Sequence, residues 1–277
     1  MIIEDRVCLG GVHTRRLSVP GSGVPIALLH GFADSADTWR GVLTAFQAAG
    51  RAAFAVDMPG YGHADLRKPG TIIAQLDAFI DATIADTGAV ILMGNSLGAC
   101  VSVRAASRGS ANICGVIAVD EPILASHLLM RISRRRADPF RVLDRRMPIP
   151  NVLYHSAIRR AFARLLYADP AQADPDVLAR FSVQAHDRLH LRRLLGDARA
   201  IALETAAGYD SEHVMCPLLI IHGRKDRVIP VHASERLHES VPASTLIVLP
   251  NSGHCPQLDD ASGLAGHVLQ FIDRGET

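Results

Sequence analysis

The sequence predicts an α/β fold: a mostly parallel sheet covered by helices on both faces, with an inserted all-helical block. Three observations predict it. Over the first 120 residues, short continuous apolar runs alternate with longer stretches of helical periodicity, as expected of strands buried on both faces by crossover helices. The same alternation resumes over residues 214–277. Between them, residues 121–213 hold no convincing strand. We therefore expect one core built from 1–120 and 214–277, interrupted by a helical cap at 121–213. A chain of 277 residues is long enough to bury such a core.

Taken in order, the apolar runs at 26–29, 52–56, 90–93 and 116–119 read as buried strands. Helical patterns at 39–49, 72–87 and 97–108 lie between them. The middle block is broken at Pro139, Pro148, Pro150, Pro170 and Pro175. Asp169-Pro170 and Asp174-Pro175 each read as a helix N-cap followed by a first-turn proline. Strands at 218–221 and 246–249 then return, with helices at 231–240 and 263–272.

The segment Gly94-Asn95-Ser96-Leu97-Gly98 joins a strand directly to a helix. A serine in a sharp strand-to-helix turn projects its hydroxyl above the sheet, and glycines two positions either side let backbone come close. The helix directs its N-terminus at the site, where developing negative charge is favoured. The bland alternative is a serine in an ordinary tight turn. Ser96 is the candidate nucleophile.

His30-Gly31-Phe32 follows the strand at 26–29 and should lie beside that turn. The Phe32 N–H and the Leu97 N–H are the two donors a tetrahedral oxyanion requires. His30 reads as a structural histidine that orients the loop. Asp226, in Gly223-Arg224-Lys225-Asp226, sits in a turn after the strand at 218–221, where its carboxylate can reach an imidazole. It could instead cap the next helix or pair with an arginine. Asp120 and Glu121, closing the strand at 116–119, form a rival position for the acid. Of thirteen histidines, His254 stands out because it follows the last strand and completes the order Ser, Asp, His. It would take the Ser96 proton and return it to the leaving group, held in one tautomer by Asp226. Neighbouring Cys255 reads as packing.

Together these residues resemble the α/β-hydrolase family. The resemblance runs from His30-Gly31-Phe32 through Asp57-Met58-Pro59-Gly60-Tyr61-Gly62, the Ser96 turn and Asp226 to Gly253-His254, essentially the whole chain. It implies an α/β-hydrolase fold and a cofactor-free hydrolase working through an acyl-serine intermediate. It implies a structural turn role for Asp57. Serine rather than aspartate at 96 argues against dehalogenase or epoxide hydrolase chemistry. Asn95 resembles the residue beside the nucleophile in carbon–carbon hydrolases of ring-fission products, and marks a candidate substrate contact. The glycine-rich oxyanion loop of those enzymes is HGFADSADTW here, and their tryptophan after the histidine is Cys255. A small-molecule carboxylic ester is therefore the expected substrate. Carbon–carbon cleavage is the alternative, and a ligand receptor with negligible turnover on the same fold is a third reading. A haloperoxidase-like perhydrolase or an acyltransferase would use the same three residues.

Residues 121–170 carry ten arginines against four acids, Glu121, Asp138, Asp144 and Asp169. Arg131, Arg134 and Arg135 have helical spacing and should share one face. This block reads either as a solvated surface or as a basic rim attracting an anionic substrate or an acidic carrier protein. Apolar residues within it, such as Leu153, Phe162 and Leu166, read as core.

Composition excludes other classes. With 29 basic and 28 acidic residues the net charge is +1, so no global field favours nucleic acid or an anionic membrane. Aromatic residues are only 5%, too few for extended base stacking. No stretch approaches 18 apolar residues, so no membrane span is expected. Cys8, Cys100, Cys114, Cys216 and Cys255 form no CxxC pair, so no thiolate metal site is expected. That sparse cysteine set, and an N-terminal stretch without a signal-peptide apolar run, fit a cytoplasmic protein.

Overall fold

The computed structural model describes residues 1–122, 151–208 and 210–275. Eight strands form one sheet: β1 Ile3–Leu9, β2 Val12–Val19, β3 Ser22–Leu29, β4 Arg51–Val56, β5 Val90–Asn95, β6 Ile113–Val119, β7 Leu218–Gly223 and β8 Thr245–Leu249. Their spatial order is β1-β2-β4-β3-β5-β6-β7-β8. β1 pairs antiparallel with β2, and β2 with β4; the remaining pairs are parallel.

The two antiparallel strands are absent from the sequence reading. They carry no continuous apolar run: IEDRVCL and VHTRRLSV put charge on strand positions, and β1 is half exposed. Opposite charges meet across the pair instead, with Arg16 donating to Asp5 at 2.6 Å. All six strands expected from the sequence are present, β8 only half-buried.

The helices are α1 Arg40–Ala48, α2 Ile72–Thr87, α3 Leu97–Ser107, α4 Asn151–Leu166, α5 Pro175–Val183, α6 Arg188–Glu204, α7 His232–Ser240, α8 Pro256–Asp259 and α9 Ala261–Asp273. Because strand side chains alternate in direction, neighbouring residues of one strand serve opposite cores. Ile26 and Leu28 pack with Trp39, Phe46 and α9; Ala27 and Leu29 pack with Leu76, Phe79 and Ile80 of α2. Burial on both faces is why these strands read as unbroken apolar runs.

α4, α5 and α6 fall between β6 and β7 in the chain. Asp169 and Asp174 cap their turns as expected, accepting from Ala171 N–H at 3.0 Å and Asp176 N–H at 2.8 Å. The end of α6 joins the core. Glu204 accepts from Ile72 and Ile73 N–H, at 3.1 and 2.7 Å, supplying the anion that α2 lacks at its own N-terminus. Arg67 also pairs with Asp197. Arg159, Arg160 and Arg164 on α4 are exposed; the arginines at 131–146 lie outside the described residues. Leu153 departs from its core expectation and is 61% exposed, while Leu166 is buried with Tyr167, Val177, Phe181 and Cys255. Among the described residues no helix is long and apolar enough to cross a membrane.

Candidate active site

β3, β5, β6, β7 and β8 are consecutive in the sheet, so the loops leaving their carboxyl ends meet at one edge. Leu29 lies beside Gly94, Asn95 beside Val119, and Val119 beside Ile221. Residues far apart in sequence are brought together by that register.

Ser96 is the N-cap of α3 and adopts φ 53°, ψ −111°, a left-handed backbone that serine rarely occupies. Its N–H donates to Val119 O at 2.8 Å, tying the turn to β6. The flanking glycines are sterically required. A Cβ on Gly98 would sit 2.1 Å from Leu29 O, and one on Gly94 would sit 2.1 Å from the Gly98 carbonyl carbon. Only glycine lets α3 start this close to β3 and β5.

Leu97 is the first residue of α3, where an N–H has no intrahelical acceptor. Gly31 is adjacent: a Cβ there would lie 3.6 Å from Ser96 Cβ. The loop carrying Phe32 therefore runs beside the serine, and the Phe32 ring packs edge-on against Tyr61. His30 is fully buried. Its Nε2 accepts from Met58 N–H at 2.9 Å and its Nδ1 donates to Gly31 O at 2.7 Å, so it pins the loop as a neutral ring. Burial pushes its pKa down, consistent with that state. Asp57 holds the same loop, accepting from Ala36 N–H at 2.6 Å and His63 N–H at 2.9 Å.

His254 Nδ1 is 2.8 Å from Asp226 Oδ2. The other Asp226 oxygen accepts from Val228 and Ile229 N–H at 2.6 and 2.9 Å. Burial raises the pKa of this carboxyl, but the histidine charge and these hydrogen bonds outweigh it and leave the pKa below the ordinary value. Asp226 is thus an anion, toward which His254 directs Nδ1. Asp120, the rival acid, does not contact His254. It accepts from Gly223 N–H at 2.9 Å and lies beside Asp226. Glu121 is buried as well.

The Asn95 side chain, expected to face substrate, is turned inward. Nδ2 donates to His254 O at 2.9 Å and Oδ1 accepts from Gln257 Nε2 at 3.2 Å. It braces the histidine loop. Cys255 is buried against α4 and α5, and burial pushes its thiol well above the ordinary range, so it packs and stays protonated. Gln257 and Arg227 escaped the sequence reading. Arg227 donates to the carbonyls of Arg164, Tyr167 and Ala168 at 3.0, 2.9 and 3.1 Å, and Cys255 N–H donates to Leu166 O at 3.0 Å. The end of α4 is thereby fastened onto the loops bearing Asp226 and His254. Arg227 sits one residue after the acid, but nothing in sequence reveals that its targets are backbone carbonyls some sixty residues away.

Two groups among the described residues gather metal-ligand atoms within 4.8 Å: exposed His186, Asp187 and His190, and buried Asp120, His222 and Asp226. In the first, Asp187 caps α6 by accepting from His190 N–H at 2.8 Å. A cavity of about 290 Å³ opens beside the loop that follows β3, lined by Ala33, Asp34, Gly62, Arg180, Phe181 and Gln184 among others.

Residues 26–266 match the model of the alpha/beta hydrolase family. The chain belongs to this family. Among curated relatives, a 2-hydroxy-6-oxo-6-(2'-aminophenyl)hexa-2,4-dienoic acid hydrolase of Metapseudomonas resinovorans is 25% identical, covering 98% of this chain and 91% of its own. A pimeloyl-[acyl-carrier protein] methyl ester esterase of Neisseria meningitidis is 24% identical, covering 93% and 97%. Among solved structures, a 2-hydroxy-6-oxo-6-phenylhexa-2,4-dienoate hydrolase from Rhodococcus superposes with a TM-score of 0.76 at 21% identity, covering 99% of both chains. A thermophilic esterase from Thermogutta terrifontis superposes with a TM-score of 0.73 at 20% identity, covering 99% and 100%. These structural likenesses establish that the α/β-hydrolase fold spans the whole chain.

Proposed function

We propose that this alpha/beta hydrolase cleaves carboxylic esters through an acyl-serine intermediate, with Ser96 as nucleophile, His254 as base and Asp226 as its orienting anion. The observation that carries the reading is the 2.8 Å contact of His254 with Asp226 at the same sheet edge as a strained Ser96. His254 Nε2 takes the Ser96 proton as Oγ attacks the ester carbonyl. The Phe32 and Leu97 N–H groups receive the oxyanion. Collapse expels the alcohol, which takes the proton from His254, and water then repeats the sequence on the acyl-serine. We read α4, α5 and α6 as a cap over this edge; the fastening of α4 by Arg227 supports that role.

Ser96→Ala should leave folding intact, because glycines rather than the serine side chain shape the turn. It should lower kcat on the order of 10⁴- to 10⁶-fold. A fluorophosphonate should label the wild-type protein and not the variant, read by intact mass. Equal labelling would sink the assignment.

A second reading, carbon–carbon hydrolysis of a ring-fission product, is favoured by Asn95 beside the nucleophile and by the similarity to the dienoic acid hydrolase of Metapseudomonas resinovorans. The inward engagement of Asn95 weighs for the ester. Turnover of a panel of short-chain esters against a vinylogous diketone separates the two.

The arginines at 131–146, with exposed Arg159, Arg160 and Arg164, support an anionic ester or an acidic carrier as partner. Attraction of this kind acts on association and fades as the screening length shortens to about 8 Å near physiological ionic strength. kcat/KM for a dicarboxylate monoester should therefore fall with added salt, while a neutral ester of equal length barely responds. If both respond alike, the arginines are a solvated surface.

A further inference from the structure

Asp120 is a carboxyl that the reaction just described does not use, and it sits where charge should be hard to hold. It is fully buried at the end of β6 and takes a left-handed backbone, φ 50°. Oδ1 accepts from Gly223 N–H at 2.9 Å, which links β6 to β7. Oδ2 is buried and receives no donor among the described residues. A carboxylate oxygen of Asp226 lies within 4.8 Å of one of Asp120, with His222 as close to both.

Among the described residues no arginine or lysine pairs with either carboxyl; the near groups are imidazoles. The near imidazole is His222, 3.5 Å from Asp120 and 3.8 Å from Asp226. Its Nε2 faces Ile229 O at 3.1 Å and its Nδ1 faces the Ser234 hydroxyl at 2.8 Å, so a neutral ring satisfies both contacts. Burial holds its pKa down. The other ionisable groups facing Asp120 are Asp259 and the Cys255 thiol, with His254 beyond Asp226. None of these supplies a fixed positive charge to Asp120. Two buried carboxylates this close do not both ionise. The proton must go to one of them. Asp226 already accepts from two backbone N–H groups and from His254, whereas Asp120 accepts from one N–H.

We propose that Asp120 is a positioning residue in the neutral acid form, its Oδ2 proton donated to Asp226, so that the two carboxyls share one negative charge behind His254. This rests on the Ser96, His254, Asp226 reading for its catalytic consequence, but not for its protonation state. Burial and the Asp226 charge raise the Asp120 pKa well above the carboxylate range, in keeping with the geometry. The shared proton draws electron density from Asp226 and fixes its orientation. His254 then faces a weaker anion than a lone aspartate would present.

Infrared spectroscopy of the wild-type protein at neutral pH should show the C=O stretch of a protonated carboxylic acid that Asp120→Asn removes. That readout needs no turnover, so it stands even if no ester is hydrolysed. Kinetics give the second test. Asp120→Ala removes the donor, so the acidic limb of the kcat/KM profile should move up by roughly half to one pH unit. kcat should fall about tenfold, because the Gly223 N–H also loses its acceptor. Asp120→Asn keeps a donor toward Asp226 and an acceptor for Gly223, and should recover most of the loss and return the limb. An ionised Asp120 predicts the opposite sign. Both variants would then move the limb down, and Asp120→Asn would remove no acid band. Either result overturns the proposal.

Discussion

Asp57 and Asp120 are both buried aspartates one residue past the end of a strand, β4 and β6, yet their surroundings differ completely. Asp57 receives Arg15 Nε at 3.0 Å and Nη2 at 3.3 Å, together with two backbone N–H groups. Arg15 is itself buried, and its guanidinium also meets Asp37 at 2.8 Å. Burial pushes the Asp37 carboxyl up, but Arg15 and Arg40 reverse this and hold it at about 2. Asp120 has one N–H donor, a second carboxyl and no cation. The same residue type at equivalent strand ends is therefore a paired anion in one place and a neutral acid in the other. The difference lies in what the neighbouring strand presents: β2 brings an arginine to Asp57, while β7 brings Asp226 to Asp120.

The largest expected effect falls on the carboxyl that serves the imidazole. Asp226→Asn should lower kcat on the order of 10⁴-fold by favouring the wrong His254 tautomer. Steady-state kinetics on any ester the wild type turns over would check this. A loss of similar size at Glu121→Gln, with Asp226→Asn near normal, would move the acid to β6.

The next largest should come from making Asp57 resemble Asp120. Arg15→Leu leaves buried Asp57 without its cation, Asp37 keeping Arg40, and should destabilise the fold by about 3–5 kcal/mol. Urea unfolding measures it. A loss under about 1 kcal/mol would mean that the pair behaves as an exposed one.

Asp34 offers a smaller and pH-resolved version of the same contrast. It is buried in the loop that follows β3, where Oδ1 accepts from Ser35 N–H at 2.8 Å. Burial raises its pKa from the ordinary 3.8 to about 7, despite the Ser35 and Thr38 donors. A raised folded-state pKa contributes stability in full below 3.8 that is lost as pH rises through about 7. The slope across that window is about 1.4 kcal/mol per pH unit. Asp34→Asn should flatten it, stabilising the protein above neutrality and changing little in acid. Thermal melts across the window decide the matter, and parallel pH profiles for both proteins would contradict it.

Much of the fold was legible because a strand buried on both faces must be apolar throughout, and α2 was legible because its periodicity spans four turns. The antiparallel β1 and β2 were not: β1 is a half-exposed edge strand that needs no apolar run, and β2 interrupts its buried positions with Arg15, which is paired rather than apolar. The Ser96 turn, the order Ser, Asp, His, and the structural parts of His30 and Asp57 were also readable, because the motif spells out local steric demands such as the glycine at 98. Only the tertiary structure decided what each side chain faces. Asn95 turned inward to the histidine loop because Gln257, 162 residues away, supplies its other partner. Asp120 and Asp226 were rivals in sequence and neighbours in space, since the register of β6 on β7 sets them side by side. Sequence fixes which groups can carry charge; whether a buried group does so depends on the distances to its neighbours, and those exist only once the sheet has formed.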